Sequence, residues 1–405
     1  MSAARSTSIR TATTSDHRAA VAAGFLGWTM DAFDYFLVVY CLTAIGRDFQ
    51  VSDAKMALTL TMTLAFRPVG AFVFGLLADR YGRRLPLIIN LIFYSLMEVL
   101  SGLAPDYTSF LVLRALFGIG MGGEWGVGAS LAMEKVPPRI RGLLSGILQQ
   151  GYAVGNLLAG ACYFFLFDKL GWRPLFFIGG LPALLSLFVL LRVKESEVWQ
   201  KTKQESWNHL FRAILSYWKV FVFIVVLMTC FNFVSHGTQD MYPTFLQRAW
   251  NFSAKARSAM TMVSALGAII GGTLIGMMSD TIGRRRAMIL GLIGAVIVIP
   301  LWAFAPSMGL LVAGAFLMQF MVQGAWGVIP AHLSELSPDS VRGFLPGFGY
   351  QCGVLIAGTV AYIEAVFADH TSYSVAMAAT AGTVCILAAI ASYFSREYRG
   401  LRFGE

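Results

Sequence analysis

Arg67 stands in the middle of an apolar stretch, twelve residues from Lys55 and twelve from Asp79. A guanidinium keeps its charge at any physiological pH and can grip a carboxylate through two parallel hydrogen bonds. At the centre of a bilayer it costs about 3 kcal/mol even on lenient insertion scales, so it must face protein or a wet cavity and have a partner. Two readings follow: a permanent ion pair with Asp31 or Asp34, or a docking point for an anionic substrate. Asp31 and Asp34 lie three apart on one helix face, between Arg18 and Arg47. A carboxylate taken out of water favours its neutral acid unless a cation is near. Each of the two is therefore a candidate proton carrier, and Glu124, deep among glycines, is a third. Static pairing is the alternative for all three.

Asn232, His236, and Gln239 or Asp240 recur at i, i+4 and i+7 or i+8, one stripe of a helix. A histidine with polar neighbours at membrane depth can bind a substrate or relay a proton. Pro243 should bend or open that helix near its far end. Gln150 and Gln351 can hydrogen-bond a carboxylate or hydroxyl without adding charge, or else join helices, and Gln319 and Gln323 read the same way. Trp125 and Trp326 either border a cavity or pack. No phosphate loop, His-Glu-x-x-His, Cys-x-x-Cys or nucleophile elbow occurs. The chain therefore reads as neither an enzyme nor a holder of a metal or cofactor.

The elements that must hold these side chains are membrane helices. The sequence is 57% hydrophobic and 13% charged, with a mean hydropathy of +0.66. A soluble core does not need so much apolar sequence. Twelve stretches can cross a bilayer: 19–45, 56–78, 86–104, 108–132, 142–167, 173–191, 219–246, 257–279, 287–305, 308–333, 343–367 and 373–395. Of the 31 Lys and Arg residues, 22 fall in the termini and the loops after even-numbered spans, and 7 on the other side. The positive-inside rule then puts both termini in the cytoplasm. It also accounts for the net charge of +9 without a nucleic-acid partner. Residues 1–18 lack the apolar core of a cleaved signal peptide. The five cysteines all fall in spans, unpaired in any motif, and read as small packing residues. A polar segment at 193–218 separates six spans from six, and its pattern at Trp199, Trp207, Leu210 and Phe211 suits a helix lying on the cytoplasmic face.

The two halves repeat one design. Gly75-Leu-Leu-Ala-Asp79-Arg-Tyr-Gly82-Arg83-Arg84 returns as Gly276-Met-Met-Ser-Asp280-Thr-Ile-Gly283-Arg284-Arg285, offset by 201 residues. The same offset carries Trp125 onto Trp326, Glu134 onto Glu335, Arg141 onto Arg342 and Gln150 onto Gln351. Such register marks two halves of one architecture with a site between them. Asp79, Arg83, Asp280 and Arg284 can latch the cytoplasmic side shut, besides setting topology. The halves differ at the deep charges: Arg67 corresponds to Ala268, Arg114 to Ala315, Glu124 to Ala325, Asp31 to Asn232, Asp34 to Ser235 and Tyr35 to His236. Scaffold needs are shared by both halves, so these charges are assigned to function.

The repeated loop resembles the signature between spans two and three of the major facilitator superfamily. Arg114-Ala-Leu-Phe-Gly118-Ile-Gly120 and the Glu134…Arg141 and Glu335…Arg342 linkers resemble further motifs of that superfamily. Arg114 then takes a structural, coupling or gating role. The run Asn232, Ser235, His236, Thr238, Gln239, Asp240 and Thr244 is similar to the signature of monocarboxylate–proton permeases in the sialate:proton symporter family. The Asp31–Asp34 pair and Arg67 also resemble that family's first two spans.

The fold expected is an all-α integral membrane protein, with twelve transmembrane helices in two pseudo-symmetric six-helix bundles. The expected division is a tail 1–18, a bundle 19–192, a linker 193–218, a bundle 219–395 and a tail 396–405. The resemblance implies a proton-coupled symporter of a short monocarboxylate such as lactate or pyruvate, acting as a monomer in a bacterial inner membrane. Arg67, Asn232, His236, Gln351, Gln150 and Tyr35 would bind substrate. Asp31, Asp34, Glu124, His236 and Asp240 would couple the proton. The alternatives are a porter for sialate, an aromatic acid or a dicarboxylate, an exporter of amphipathic compounds, and a metabolite receptor.

Overall fold

A computed structural model describes residues 14–203 and 206–404. Most of the expected N-terminal tail, with Arg5 and Arg10, lies outside the described residues. Every regular element among those described is helical. The first half contains helices Thr14–Asp48, Asp53–Tyr81, Arg84–Gly102 and Tyr107–Lys135. Two broken spans complete it, Arg141–Gln149 with Gly151–Leu170, and Trp172–Ile178 with Pro182–Arg192. The second half runs Trp218–Gln239 with Tyr242–Trp250, then Ala254–Ile282, Arg284–Ala303, Met308–Gly327 with Ile329–Leu336, Leu345–Ala357 with Val360–His370, and Tyr373–Phe394. Large apolar side chains such as Phe164, Leu184 and Ile297 point outward, as suits a helix bundle solvated by lipid tails.

Eleven of these runs are long and apolar enough to cross a membrane. The expected continuous span 343–367 is corrected: it is broken at Gly358 and Thr359 into two shorter helices. The single linker helix is corrected too. The segment forms two, Glu197–Thr202 and Trp207–Ser216, each started by a serine whose hydroxyl accepts a backbone N–H. These serines give each short helix its own N-cap. The seventh span breaks at Asp240 and Met241, and Pro243 sits in the first turn of the segment that follows. A proline is tolerated there because its missing N–H would have no helical partner.

Two local features explain how the halves close on themselves. Gly82 and Gly283 have φ of 101° and 99°, a conformation that side chains with a β-carbon resist, and each reverses the chain straight after the second or eighth span. Gly122 of the fourth span lets the second approach so near that a β-carbon would meet Arg67 O at 1.9 Å. Close approach through small residues is the common packing device of helices in lipid.

Candidate functional site

Arg67 is carried by the second span, directly before Pro68, which interrupts the helical hydrogen-bond ladder there. It is 4% exposed. Its Nε and Nη2 have no hydrogen-bond acceptor, and among the described residues no carboxylate lies within ion-pair distance. The permanent pair with Asp31 or Asp34 is therefore not formed. Its guanidinium stands over the ring of Tyr350, 5.9 Å from the centroid. Arg67 belongs to the first half and Tyr350 to the second, so the guanidinium lies where the halves meet. Its charge also reaches Asp31, Tyr35 and Tyr152.

Aromatic rings continue from that point. Tyr350 packs against Trp125 at 4.7 Å and Trp326 at 5.8 Å, and Trp326 meets Phe231 edge-on at 5.6 Å. Across the first half, Trp28, Tyr152, Phe36 and Tyr35 form a chain of ring contacts between 5.2 and 5.5 Å. Such walls suit an organic anion, with one charged anchor among apolar and weakly polar surfaces.

Asp31, Asp34 and Glu124 are fully buried, and among the described residues no oxygen of the three has a protein donor. Glu124 Oε1 lies 2.2 Å from where a β-carbon of Gly27 would stand, so the first span needs glycine there to admit it. Asp34 shares its surroundings with Glu98, since a β-carbon at Gly179 would lie 2.6 Å from Asp34 Oδ1 and 2.5 Å from Glu98 Cγ. Sequence reasoning missed Glu98, although it is the sole Asp, Glu, Lys, Arg or His between Arg84 and Asp106. It holds Arg114, 2.7 Å away. Arg114 also donates to Ser101 Oγ at 2.6 Å and stacks on Phe117 at 4.5 Å. Arg114 is thus bound up within its own half, apart from the loop residues grouped with it as gates.

The stripe on the seventh span is partly occupied with itself. Asn232 Nδ2 donates to Met228 O at 2.7 Å, and Gln239 Nε2 to Ser235 Oγ at 3.0 Å. His236 Nδ1 lies 3.1 Å from an Asp240 oxygen, and both side chains are open to solvent. The tenth span reaches this stripe through Gln319, whose amide donates to Thr238 Oγ1 at 3.2 Å. A carboxylate missed in the sequence, Glu364, is buried beside it with neither oxygen partnered. A β-carbon at Gly237 would lie 3.6 Å from Glu364 Oε1. Gln351 is fully buried, and among the described residues neither of its amide atoms has a partner. Gln150 occupies the break in the fifth span, and its amide nitrogen presses on Gly272 of the other half.

The repeated loops meet on one face of the molecule. Asp79 accepts the backbone N–H groups of Gly343 and Phe344 at 2.7 and 3.0 Å, and Asp280 accepts those of Gly142 and Leu143 at 2.7 and 2.9 Å. Each aspartate thus binds the opposite half at the start of a span, where backbone donors have no helical partner. Arg83 joins Asp79 at 2.5 Å to Glu134 at 3.0 Å, and Arg284 joins Asp280 at 2.8 Å to Glu335 at 3.0 Å. Arg141 reaches Glu335 at 3.0 Å and Arg342 reaches Glu134 at 3.5 Å, again between halves. Glu195 and Glu397, not singled out in the sequence, accept the backbone N–H groups that open the third and ninth spans. The C-terminal tail lays the Phe403 ring under both Arg141 and Arg342, 3.9 and 3.7 Å from their guanidinium carbons.

Comparison with known proteins agrees with the fold. The family model described as Major Facilitator Superfamily matches residues 24–253 and 240–403. A carboxylic acid transporter protein homolog of Saccharomyces cerevisiae is 28% identical over 374 residues, covering 86% of this chain and 61% of the yeast protein. The chain thus spans about three fifths of that relative. The sialic acid transporter NanX of Escherichia coli is 29% identical, covering 83% of this chain and 84% of its own. The solved proton:xylose symporter XylE superposes with a TM-score of 0.81 at 20% identity, covering 97% and 98% of the two chains, and so shares the fold. The chain belongs to the Major Facilitator Superfamily.

Proposed function

We propose that this protein carries a small organic acid across a membrane together with a proton, by alternating access between its two halves. The observation that carries the reading is Arg67: buried, lacking a carboxylate partner, and facing the other half across Tyr350. A guanidinium held dry without an anion is costly, and an arriving carboxylate relieves that cost with two hydrogen bonds. Gln351, unpartnered among the described residues, and Tyr35 orient the acid, assisted by Asn232, His236 and Gln150. One of Asp31, Asp34 and Glu124 accepts the proton, while His236 and Asp240, open to solvent, pass protons inward. Anion and proton together leave the cavity close to neutral, so closing it buries no net charge. The halves then rock, and the contacts of Asp79, Arg83, Asp280 and Arg284 between loops must break to open that face.

Those loops face the cytoplasm by the distribution of Lys and Arg, with both chain ends on the same side, and the membrane proposed is a bacterial inner membrane. The substrate class is carboxylates, with lactate or pyruvate the first choice on the seventh-span signature. A second reading, a bulkier acid such as sialate, draws on the sialic acid relative and the many rings around Arg67. The test is uptake of labelled lactate, pyruvate and sialate into proteoliposomes, with and without an inward proton gradient. Accumulation of one of these that is driven by the gradient supports the reading. Equal uptake in both conditions overturns the coupling, and no uptake of any acid overturns the substrate class.

A further inference from the structure

In the first half, Trp125 is satisfied within the protein: its indole N–H donates to Gln149 Oε1 at 3.0 Å. The repeat offset turns Trp125 into Trp326 and Gln149 into Tyr350. The exchange replaces an amide carbonyl by a phenol ring, which meets Trp326 at 5.8 Å between ring centroids and does not take its N–H. Trp326 is 3% exposed, and among the described residues its Nε1 has no hydrogen-bond partner. A buried donor without a partner forfeits the bond it had in water, so native proteins rarely keep one without reason. Trp326 packs on Tyr350 at 5.8 Å, and Arg67 stands over the same ring at 5.9 Å. Among the described residues, one ring therefore has as neighbours a cation without a carboxylate and an indole N–H without an acceptor. Trp28 also lacks an acceptor, but it stacks on Tyr152 rather than on the tyrosine beneath Arg67.

We propose that Trp326 is a substrate-binding residue, its indole N–H donating to an oxygen of the organic acid whose carboxylate docks on Arg67. The proposal rests on the docking role given to Arg67 above. The substrate it selects has an oxygen acceptor within reach of the second half, besides the carboxylate edge that faces the guanidinium. The repeat explains the asymmetry: Trp125 keeps its N–H for the scaffold, and Trp326 offers its own to the cargo.

Trp326→Phe keeps a ring and removes the donor. In proteoliposomes of the full chain, with whichever of labelled lactate, pyruvate or sialate the parent protein takes up, the half-saturating concentration should rise about tenfold, as for loss of one hydrogen bond to a charged or strongly polar oxygen. The maximal rate should stay within about twofold. Trp125→Phe should lower the melting temperature, because it takes the donor from Gln149 Oε1. A second measurement does not depend on the folding of a variant. Among the nine tryptophans, the ¹⁵N-indole resonance of Trp326, assigned by its loss in Trp326→Phe, should shift when that acid is added to the parent protein. Unchanged affinity in Trp326→Phe, or an unmoved Trp326 resonance at saturating acid, overturns the proposal and leaves the N–H to a buried water. Arg67→Gln separates the two claims. If it transports normally the docking role itself is wrong, whereas a dead Arg67→Gln beside a normal Trp326→Phe sinks only the inference about Trp326.

Discussion

Asp79 of the first half accepts the backbone N–H of Gly343 in the second at 2.7 Å. Asp280 accepts the N–H of Gly142 at the same 2.7 Å, from the second half to the first. Each latch is a charge-assisted bond to the start of a span, and hydrogen bonds to charged groups are worth about 1.5–3 kcal/mol each. Asp79→Asn should therefore weaken closure of the loop face by about 2 kcal/mol. Labelling of a cysteine placed at Ser130, whose Oγ donates to Arg342 O across this interface, should quicken about tenfold or more in that variant. Unchanged labelling would mean that the latch is redundant.

Among the described residues Arg67 has no carboxylate within ion-pair distance, so its replacement removes an anchor and leaves no orphaned carboxylate. Arg67→Gln should keep the parent melting temperature within a few degrees while cutting uptake of the acid about 100-fold or more. Arg67→Lys keeps the charge without the planar fork and should recover only part of that loss. A large fall in melting temperature with Arg67→Gln would point to a scaffold role instead.

Arg114 and Glu98 behave in the opposite way, as a buried pair 2.7 Å apart. Removing one partner of such a pair strands the other charge at a cost of about 3–5 kcal/mol. Glu98→Gln should lower the melting temperature strongly. Joining it to Arg114→Met should recover most of the loss, a coupling that a double-mutant thermal series reads directly. Simple additivity of the two single effects would refute the pairing.

Phe403 ties the C-terminal tail to Arg141 and Arg342, one from each half and related by the repeat. Phe403→Ala removes a ring that both guanidiniums share, and cation–π contacts contribute about 0.5–2 kcal/mol each. The variant should open the loop face more often, seen as faster amide exchange at 141–143 and 342–344. No change in exchange would make the tail a bystander.

Asp31, Asp34 and Glu124 are buried acids without donors among the described residues. Proton symport has a fixed sign: accumulation rises as the outer pH falls below the inner. The Asn or Gln variant of the true carrier should abolish accumulation driven by the gradient while keeping counterflow exchange of labelled acid. If all three single variants still accumulate the acid, the proton travels elsewhere, with Glu364 the next to test.

Hydropathy and charge are local properties of a chain, so the depth of Arg67 and the repeat at Asp79 and Asp280 could be read without coordinates. The bend near Pro243 was legible for the same reason, since proline acts on its own turn. The break at Gly358 and Thr359 was not, because a glycine among apolar residues carries the same signal in a straight membrane helix as in a broken one. Glu98 and Glu364 were overlooked although each interrupts an apolar run, the signal that drew notice to Glu124.

From its sequence alone this protein was determined to be two matched sets of membrane helices with unequal buried charge. Only the tertiary structure decided who pairs with whom: Arg114 with Glu98, Asp79 with Gly343, Trp125 with Gln149, and Arg67 with the ring of Tyr350 rather than with a carboxylate. Partnership depends on which helices touch and how closely. That is set by contacts between distant stretches, such as Gly122 against the backbone of Arg67, which no window along the chain contains.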